Sequence, residues 1–347
     1  MAATIITGAA FGAALTASGV DQPAVILGQL KWENYHMLQA FLTATAASAL
    51  VNSAANTVGH ASLKPRQYAT RGWFAPFDGN IVGGLILGVG MALSGSCPGT
   101  VLSQSALNIR SGYFALAGGF VGGAVWAVIL RPRLARKLKE RVERKKKTAT
   151  AAGTASVSEE GLPISVPALL GVSTGVTLAV YEALLATVVG GTAVVYGPGS
   201  YATLSPVVGG LLIGLAQLIS VAVRKTTLGV SAVYEDFGDW LKWATSGDST
   251  KKPAVNSFLF ALGIAAGSRT TVTLFPALVA HNATSSASLS ISPSAAVMGG
   301  FAMALGSRIA GGCTSGHGIS GMSLMSLPSF ITIGSAFLGG GIAALLL

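Results

Sequence analysis

Residues 83–97 read GGLILGVGMALSGSC, and residues 299–313 read GGFAMALGSRIAGGC. The residues that recur at an offset of 216 are Gly83, Gly84, Gly90, Gly95 and Cys97. The two cysteines of the chain, Cys97 and Cys313, are therefore the last residues of equivalent segments. Agreement at one fixed offset predicts an internal repeat.

The composition excludes a soluble globular protein. The chain has 347 residues, of which 51% are hydrophobic, 10% are charged and 46 are glycine, and its mean hydropathy is +0.64. Soluble domains carry about 25% charged residues, so this chain has too few to cover a soluble surface. Small residues let helix backbones approach each other closely in lipid. We therefore expect an all-α, polytopic membrane protein.

Nine apolar stretches approach the ~20 residues that a helix needs to span a bilayer. They cover residues 3–19, 36–58, 79–96, 113–130, 163–190, 203–223, 253–280, 293–310 and 329–347. The first stretch lacks the basic segment that opens a signal peptide, and we interpret it as a retained helix.

These spans divide the chain into three parts. Residues 1–130 form the first membrane repeat, 131–162 a basic cytoplasmic loop, and 163–347 a connector helix with the second repeat. A single connector reverses the orientation of the spans that follow it. The expected architecture is an inverted-topology repeat, in which substrate sites lie near the membrane midplane between the repeats.

Positive charge is concentrated in one segment. Residues 131–147 hold ten of the 22 Lys and Arg residues and carry +8 of the formal +10. By contrast, 191–202 and 281–292 contain no Lys or Arg. Basic loops remain in the cytoplasm, which predicts a cytoplasmic N-terminus in the plasma membrane. The basic segment is typical of a solvated connector, an anionic-lipid site being the alternative, and no nucleic-acid partner is expected.

Both cysteine motifs interrupt apolar helices. Pro98 removes a backbone donor, and clustered glycines favour unwinding around Cys313. Each break leaves free N–H groups at the start of a half-helix, roughly 99–108 and 316–326, where an anion is favoured. Hydroxyl donors stand beside them at Thr100, Ser103, Thr314, Ser315 and Ser320. A thiol is a soft partner that suits a sulfur-containing anion.

Each of these features also has a purely structural interpretation. A lone buried cysteine is usually a core residue, a glycine-rich stretch is usually a packing seam, and His317 alone is typical of a satisfied interior group. The recurrence of a cysteine inside a broken helix in both halves favours the functional interpretation.

The motifs GSCPG (95–99) and GGCTSGHG (311–318), the latter continued by GISGMS, are similar to signature segments of the YeeE/YedE family of sulfur-transport membrane proteins. Residues 227–231 and 11–28 also resemble family segments. The resemblance implies an inverted-repeat fold and uptake of thiosulfate, with cysteines passing the ion along a central path by S–H···S and related hydrogen bonds. The candidate path comprises Cys97, Cys313, Ser96, Pro98, Gly99, Thr100, Thr314, Ser315, Gly316, His317, Ser231 and Arg308.

One position departs from the family pattern. Transporter members usually have a third cysteine near the end of the first helix, where this chain has Gly19-Val20-Asp21-Gln22. Asp21 is expected either to stand at the wet outer entrance and repel an anion, or to cap the helix that starts at Pro23.

Other polar residues fall within or beside the spans. Ionisable groups in a membrane are functional candidates by default. Anion attraction is slightly favoured for Arg269 and Arg308, whereas a structural role is favoured for Glu182. Residues 231–243 are typical of an interfacial amphipathic helix.

The leading hypothesis is non-enzymatic transport of thiosulfate or a related anion. No nucleotide-binding motif is present, and neither cysteine has a second thiol or a carboxylate beside it in the sequence, so no cofactor or metal is expected. The alternatives are another small anion or a selenium compound, and a membrane sulfurtransferase that forms a persulfide on Cys313 with His317 as its activator. Membrane lipid and a cytoplasmic sulfur acceptor protein are the candidate partners.

Overall fold

The computed structural model describes residues 1–151, 162–197, 203–246, 252–278 and 290–347, and these residues are built from helices. The first part contains α1 (Ala2–Ala17), α2 (Pro23–Leu30), α3 (His36–Thr57), α4 (Asp78–Ser94), α5 (Thr100–Ala106), α6 (Arg110–Val125) and α7 (Arg131–Ala151). The second part contains α8 (Val166–Leu170), α9 (Thr174–Tyr196), α10 (Pro206–Arg224), α11 (Ala232–Ser246), α12 (Asn256–Leu274), α13 (Pro293–Ile309) and α14 (Leu327–Leu346). Two π-helical segments, Trp126–Leu130 and Ser315–Gly321, and the 3₁₀ turn Met322–Leu324 complete the described helices.

Local sequence accounts for several helix starts. α10 and α13 both begin with Ser-Pro, and the hydroxyls of Ser205 and Ser292 accept hydrogen bonds from the backbone N–H groups of Val208 and Ala295. Proline fits the first helical position because the N–H that it lacks would have no partner within the helix. The serine satisfies one of the remaining N–H groups.

The chain is a helical membrane protein, as its composition predicts. Each of the nine apolar stretches contains a helix, and five helices in the described part of the chain are long and apolar enough to cross a membrane. They are Arg110–Arg144, Thr174–Tyr196, Pro206–Arg224, Asn256–Leu274 and Leu327–Leu346. α1 and α4 are apolar but shorter.

The basic segment differs from the expected loop, because it is helical as far as Ala151. Its residues are mostly Arg, Lys, Leu, Ala and Glu, which are strong helix formers, and its only helix breaker is Pro132 near its start. The π-helical turn Trp126–Leu130 connects it directly to α6. Residues 152–161 of the predicted loop lie outside the described residues, as do 198–202 and 279–289 of the uncharged segments.

Helices of the first half of the chain pack against helices of the second half. α4 packs between α13 and α14, and α13 packs between α4 and α6. In the same way α1 lies against α12, and α10 lies against α3. The recurrent glycines make these contacts: a Cβ on Gly84 would stand 2.6 Å from the Thr332 carbonyl oxygen, and one on Gly300 would stand 1.9 Å from that of Ala115. The glycines of the repeat thus allow backbone-to-backbone packing around the two cysteine motifs.

Candidate functional site

The first break separates α4 from α5. After Ser94 the chain turns at Gly95, whose φ of +59° belongs to the left-handed region that favours glycine. The Thr100 N–H donates to Sγ of Cys97 at 3.4 Å, and the Cys97 N–H donates to the Thr100 hydroxyl at 2.7 Å. The helix break predicted at this motif is therefore confirmed, and the thiol contacts the first residue of α5.

The second break separates α13 from a π-helical segment. The chain turns at Gly311, with φ +82°, and passes through Cys313 before the π-helix begins at Ser315. Sγ of Cys313 lies 3.2 Å from the Ser315 hydroxyl. Backbone groups of Val230, Ser231 and Gly316 also lie close to this sulfur. The second helix break is also confirmed, and its thiol lies among hydrogen-bonding groups.

A small buried cavity of ≈ 40 Å³ lies between the breaks. The motif residues in its wall are Cys97, Gly99 and Thr100 from the first break and Thr314 and Ser315 from the second. The rest of the wall is apolar and consists of Phe11, Leu15, Val20, Met37, Phe41, Ile213 and Ile319. Cys313 itself is fully buried behind this wall. Five of the predicted path residues therefore meet at one cavity.

The link between α10 and α11 fills the space beside the breaks. Val230 faces the first break, since a Cβ on Gly99 would stand 3.5 Å from its Cγ2. The fully buried Tyr234 donates from its hydroxyl to the Pro98 carbonyl oxygen at 2.9 Å. The Ser320 hydroxyl of the second break donates to the Leu228 carbonyl oxygen at 2.6 Å. Segment 227–231 and Tyr234 thus hold both breaks in place.

Arg308 is paired rather than free to attract an anion. It forms an ion pair with Glu235 and donates to the Ser231 hydroxyl at 3.3 Å. Arg131 also donates to Glu235, at 2.7 Å, and Trp126 does so at 3.2 Å. α11 lies outside the apolar spans. Burial alone would raise the pKa of Glu235, but the two arginines hold that pKa below its ordinary value.

Arg66 is a functional candidate that the sequence analysis did not single out. It lies in the segment between α3 and α4, and its Nε donates to the Gly316 carbonyl oxygen at 2.7 Å. Its Nη1 donates to the Gly311 carbonyl oxygen at 3.2 Å. A buried serine, Ser326, accepts from the Arg66 backbone N–H at 3.1 Å. The guanidinium therefore bridges the two ends of the break that contains Cys313. In the sequence Arg66 is one of several basic loop residues, and no motif distinguishes it.

His317 does not line the cavity, and both of its ring nitrogens have partners. Its Nδ1 lies 2.9 Å from the Ser329 hydroxyl, and its Nε2 lies 3.1 Å from the Ala310 carbonyl oxygen. Both ring nitrogens therefore have partners that connect the end of α13 to α14. Its backbone N–H donates to the Cys313 carbonyl oxygen at 2.7 Å.

The structure contradicts both expectations for Asp21. The residue is fully buried, so it does not stand at a wet entrance. The residue at the cap position of α2 is Gln22, which has no side-chain capping bond, so Asp21 is not the cap. Its carboxylate accepts from the Thr16 hydroxyl at 2.8 Å and from the Gln22 amide at 3.2 Å. Val20, its neighbour, lines the cavity instead.

Ser96 joins this buried network rather than the cavity wall. Its hydroxyl donates to the Gln104 side-chain oxygen at 2.5 Å, and the Gln104 amide donates to the Asp21 carbonyl oxygen at 2.8 Å. Arg269 is exposed on α12 and Glu182 is half-buried on α9; neither lines the cavity. These residues support the fold around the site or lie away from it.

The fold and this site define a helical membrane protein in which two broken helices bring one cysteine each to a buried centre. The chain belongs to the sulphur transport family, whose model matches residues 22–342. This confirms the resemblance to the YeeE/YedE proteins. Comparison with curated proteins gives no match.

Proposed function

We propose that the protein takes up thiosulfate, or a related small sulfur-containing anion, through the cavity between the two breaks. Membership of a sulphur transport family supports a transport role. The observation that carries the proposal is that the Cys97 motif and the residues beside Cys313 face one another across the same cavity. Residues from opposite halves of the chain thereby form a single central path.

The chemistry of the wall fits this class of substrate. Phe11, Leu15, Met37 and Phe41 offer an anion no hydrogen bonds, so a strongly hydrated ion enters at a high cost. The hydroxyls of Thr100, Thr314 and Ser315 supply the polar contacts, and the Cys97 thiol supplies a polarisable one. A soft anion with a terminal sulfur loses less on entering such a cavity than a hard oxyanion does.

We also propose that the chain crosses the membrane nine times as two inverted repeats, with its N-terminus and basic segment in the cytoplasm of the plasma membrane. The corresponding helix pairs, α4 with α14 and α13 with α6, support a two-fold relation between the halves. In this arrangement the anion moves inward past Cys97 and Cys313. A cytoplasmic sulfur acceptor protein and membrane lipid are the proposed partners.

The sulfurtransferase alternative has less support. It requires a neighbour that activates the Cys313 thiol, and the sequence offered His317 for this role. In the structure both nitrogens of His317 are engaged by Ser329 and Ala310. Mass spectrometry of protein trapped during turnover distinguishes the two functions, since an enzyme of this kind carries a persulfide on Cys313.

The proposal is tested by uptake of radiolabelled thiosulfate into proteoliposomes that contain only this protein, with sulfate and selenate as competitors. We expect saturable uptake that unlabelled thiosulfate inhibits strongly and sulfate inhibits only weakly. The Cys97→Ala, Cys313→Ala double variant should lose this uptake. Ser48→Ala, which removes one buried side-chain oxygen outside the cavity wall, is the matched control. Uptake by the double variant at the wild-type rate would overturn the proposal.

A further inference from the structure

Two glycines, Gly229 and Gly316, lie beside Cys313 and Arg66. A Cβ placed on Gly316 would stand 3.8 Å from Sγ of Cys313 and 3.0 Å from Nη2 of Arg66. A Cβ placed on Gly229 would stand 3.8 Å from the same Nη2. Because both glycines lack a side chain, no side chain at these two positions stands between the thiol and the guanidinium. We call this place the Gly229–Gly316 gap.

The guanidinium is held in a fixed position with one nitrogen left over. Nε and Nη1 of Arg66 donate to the carbonyl oxygens of Gly316 and Gly311. No acceptor for Nη2 is found among the described residues. Arginine presents its donors as a rigid planar fork that matches oxyanions. These two bonds fix the guanidinium, and with it the direction in which Nη2 donates.

The other side of the gap is suited to sulfur. The Cys313 thiol contacts the Ser315 hydroxyl and lies close to backbone groups of the Val230–Ser231 link. The thiol is itself a soft, weak donor that can contact a polarisable sulfur. The two sides of the gap therefore differ: one favours a polarisable sulfur and the other favours an oxygen.

We propose that Arg66 and Cys313 form one anion site across the Gly229–Gly316 gap, and that this site selects oxyanions with a terminal sulfur. The oxygen end contacts Nη2 of Arg66, and the sulfur end contacts the Cys313 thiol. This inference rests on the proposed function and makes it more specific, because Arg66 becomes the residue that recognises the oxygen end of the substrate.

The test uses equilibrium binding of radiolabelled thiosulfate to the purified full-length protein, alongside proteoliposome uptake. Arg66→Gln removes the donor, and Arg66→Lys keeps the charge without the planar fork. Gly229→Ala narrows the gap while leaving Arg66 intact, and its Cβ meets no atom closer than 3.8 Å. Arg71→Gln is the matched control, since Arg71 also donates to backbone carbonyl oxygens, at the end of α13, but does not reach the gap.

We expect Arg66→Gln and Gly229→Ala to weaken thiosulfate binding at least tenfold, with Arg66→Lys intermediate and Arg71→Gln within threefold of wild type. The thermal unfolding temperature of Gly229→Ala should stay near that of wild type. Arg66→Gln should weaken sulfate and thiosulfate alike, whereas Cys313→Ala should mainly remove the preference for thiosulfate over sulfate.

The outcomes separate this inference from the proposed function. Wild-type protein that binds thiosulfate in an Arg66-dependent way but does not transport it would overturn the transport function and keep the site. Wild-type transport with unchanged binding in Arg66→Gln, or an equal loss of binding in Arg71→Gln, would overturn the site alone. Absence of both binding and transport in the wild type would overturn both.

Discussion

Gly90 and Gly299 lie against each other across the two halves of the chain. A Cβ on Gly90 would stand 2.6 Å from the Gly299 carbonyl oxygen, and a Cβ on Gly299 would stand 2.7 Å from the Gly90 carbonyl oxygen. Gly83 and Gly306 show the same reciprocal contact, each 2.7 Å from the other's carbonyl oxygen. At the offset of 216, Gly83 is equivalent to Gly299 and Gly90 to Gly306, so the two contacts join equivalent pairs of residues. The proposed two-fold relation between the halves predicts such paired contacts.

Gly90→Ala and Gly299→Ala should therefore each destabilise the protein. The added methyl group meets backbone that has no room to move, and we expect a loss of about 2 kcal/mol or more. Gly190→Ala on α9 is the control, because nothing lies within 4 Å of its Cβ position. Thermal unfolding in detergent measures all three. A Gly90→Ala variant as stable as Gly190→Ala would contradict the close contact.

Replacement of either cysteine by serine should retain more uptake than replacement by alanine. The Cys97 sulfur accepts from the Thr100 N–H and the Cys313 sulfur lies beside the Ser315 hydroxyl, so a serine oxygen preserves a hydrogen-bonding atom at each position. Concentration-dependent uptake of thiosulfate is the measurement. Equal activities of the serine and alanine variants would assign the effect to sulfur polarisability instead.

A thiol introduced at position 20 should strengthen substrate binding. Val20 lines the cavity beside Cys97, and Val20→Cys changes the side-chain volume little. We expect a lower half-saturation concentration for thiosulfate uptake. Val20→Thr, of similar shape but without sulfur, is the matched control. An equal decrease of the half-saturation concentration in both variants would exclude a specific role for the thiol.

Asp21→Asn should lower stability and leave the affinity for thiosulfate unchanged. Both carboxylate oxygens accept hydrogen bonds, from Thr16 and Gln22, and an amide nitrogen cannot replace one of them. An unmatched buried donor costs about 1–3 kcal/mol. The measurements are the thermal unfolding temperature and the thiosulfate concentration that gives half-maximal uptake. Higher affinity at low salt in this variant would restore the idea of an electrostatic gate.

Glu235→Gln should remove part of the acid sensitivity of the fold. The folded-state pKa of Glu235 is lowered, so its ionised form stabilises the protein above its unfolded-state pKa of about 4.3. That contribution is lost as the pH falls through the lower folded-state value. At neutral pH the variant should lose about 3 kcal/mol because two arginines lose their partner. The measurement is the free energy of unfolding from about pH 3 to 7, and the exposed Glu33→Gln is the control. Parallel pH curves for the two variants would reject the prediction.

An impermeant thiol reagent should label a cysteine introduced at Lys139 only from the cytoplasmic side, and one introduced at Ser200 only from outside. The net charge of +8 within 131–147 and the absence of Lys and Arg from 191–202 give this orientation. The native cysteines are buried and serve as an unlabelled background. Labelling of both positions from one side would reject the orientation and the inverted repeat that depends on it.

The sequence predicts the helix breaks because their causes are local. Gly95 and Gly311 both adopt positive φ, and the residues that follow them cannot continue an apolar helix. The recurrence of glycines was also informative, because a fixed offset preserves the contacts that α4 and α13 make. The helical form of the basic segment is not evident from its charge, since charge alone does not end a helix of strong helix formers.

Other parts of the site depend on contacts between distant residues. Arg66 reaches Gly316 across 250 positions of sequence, and Tyr234 reaches Pro98 across 136. Neither residue belongs to a motif, so no local pattern could identify it. The surroundings of Asp21 likewise include Gln104, whose amide reaches the Asp21 carbonyl oxygen from α5. The two breaks follow from local sequence, whereas the residues that position them come from distant parts of the chain.

The glycine contact between α4 and α13 also limits how the anion can cross. A transporter that rocks one half against the other remakes the interface in every cycle, and here a shift of one residue would place the side chains of Leu87 or Met303 against bare backbone. Movement is easier for Phe41, a cavity side chain that packs on Gly318. Side-chain rotations are far faster than domain motions. For the proposed path we therefore expect turnover to depend on how readily the ion sheds its water, as in a gated pore rather than in an alternating carrier.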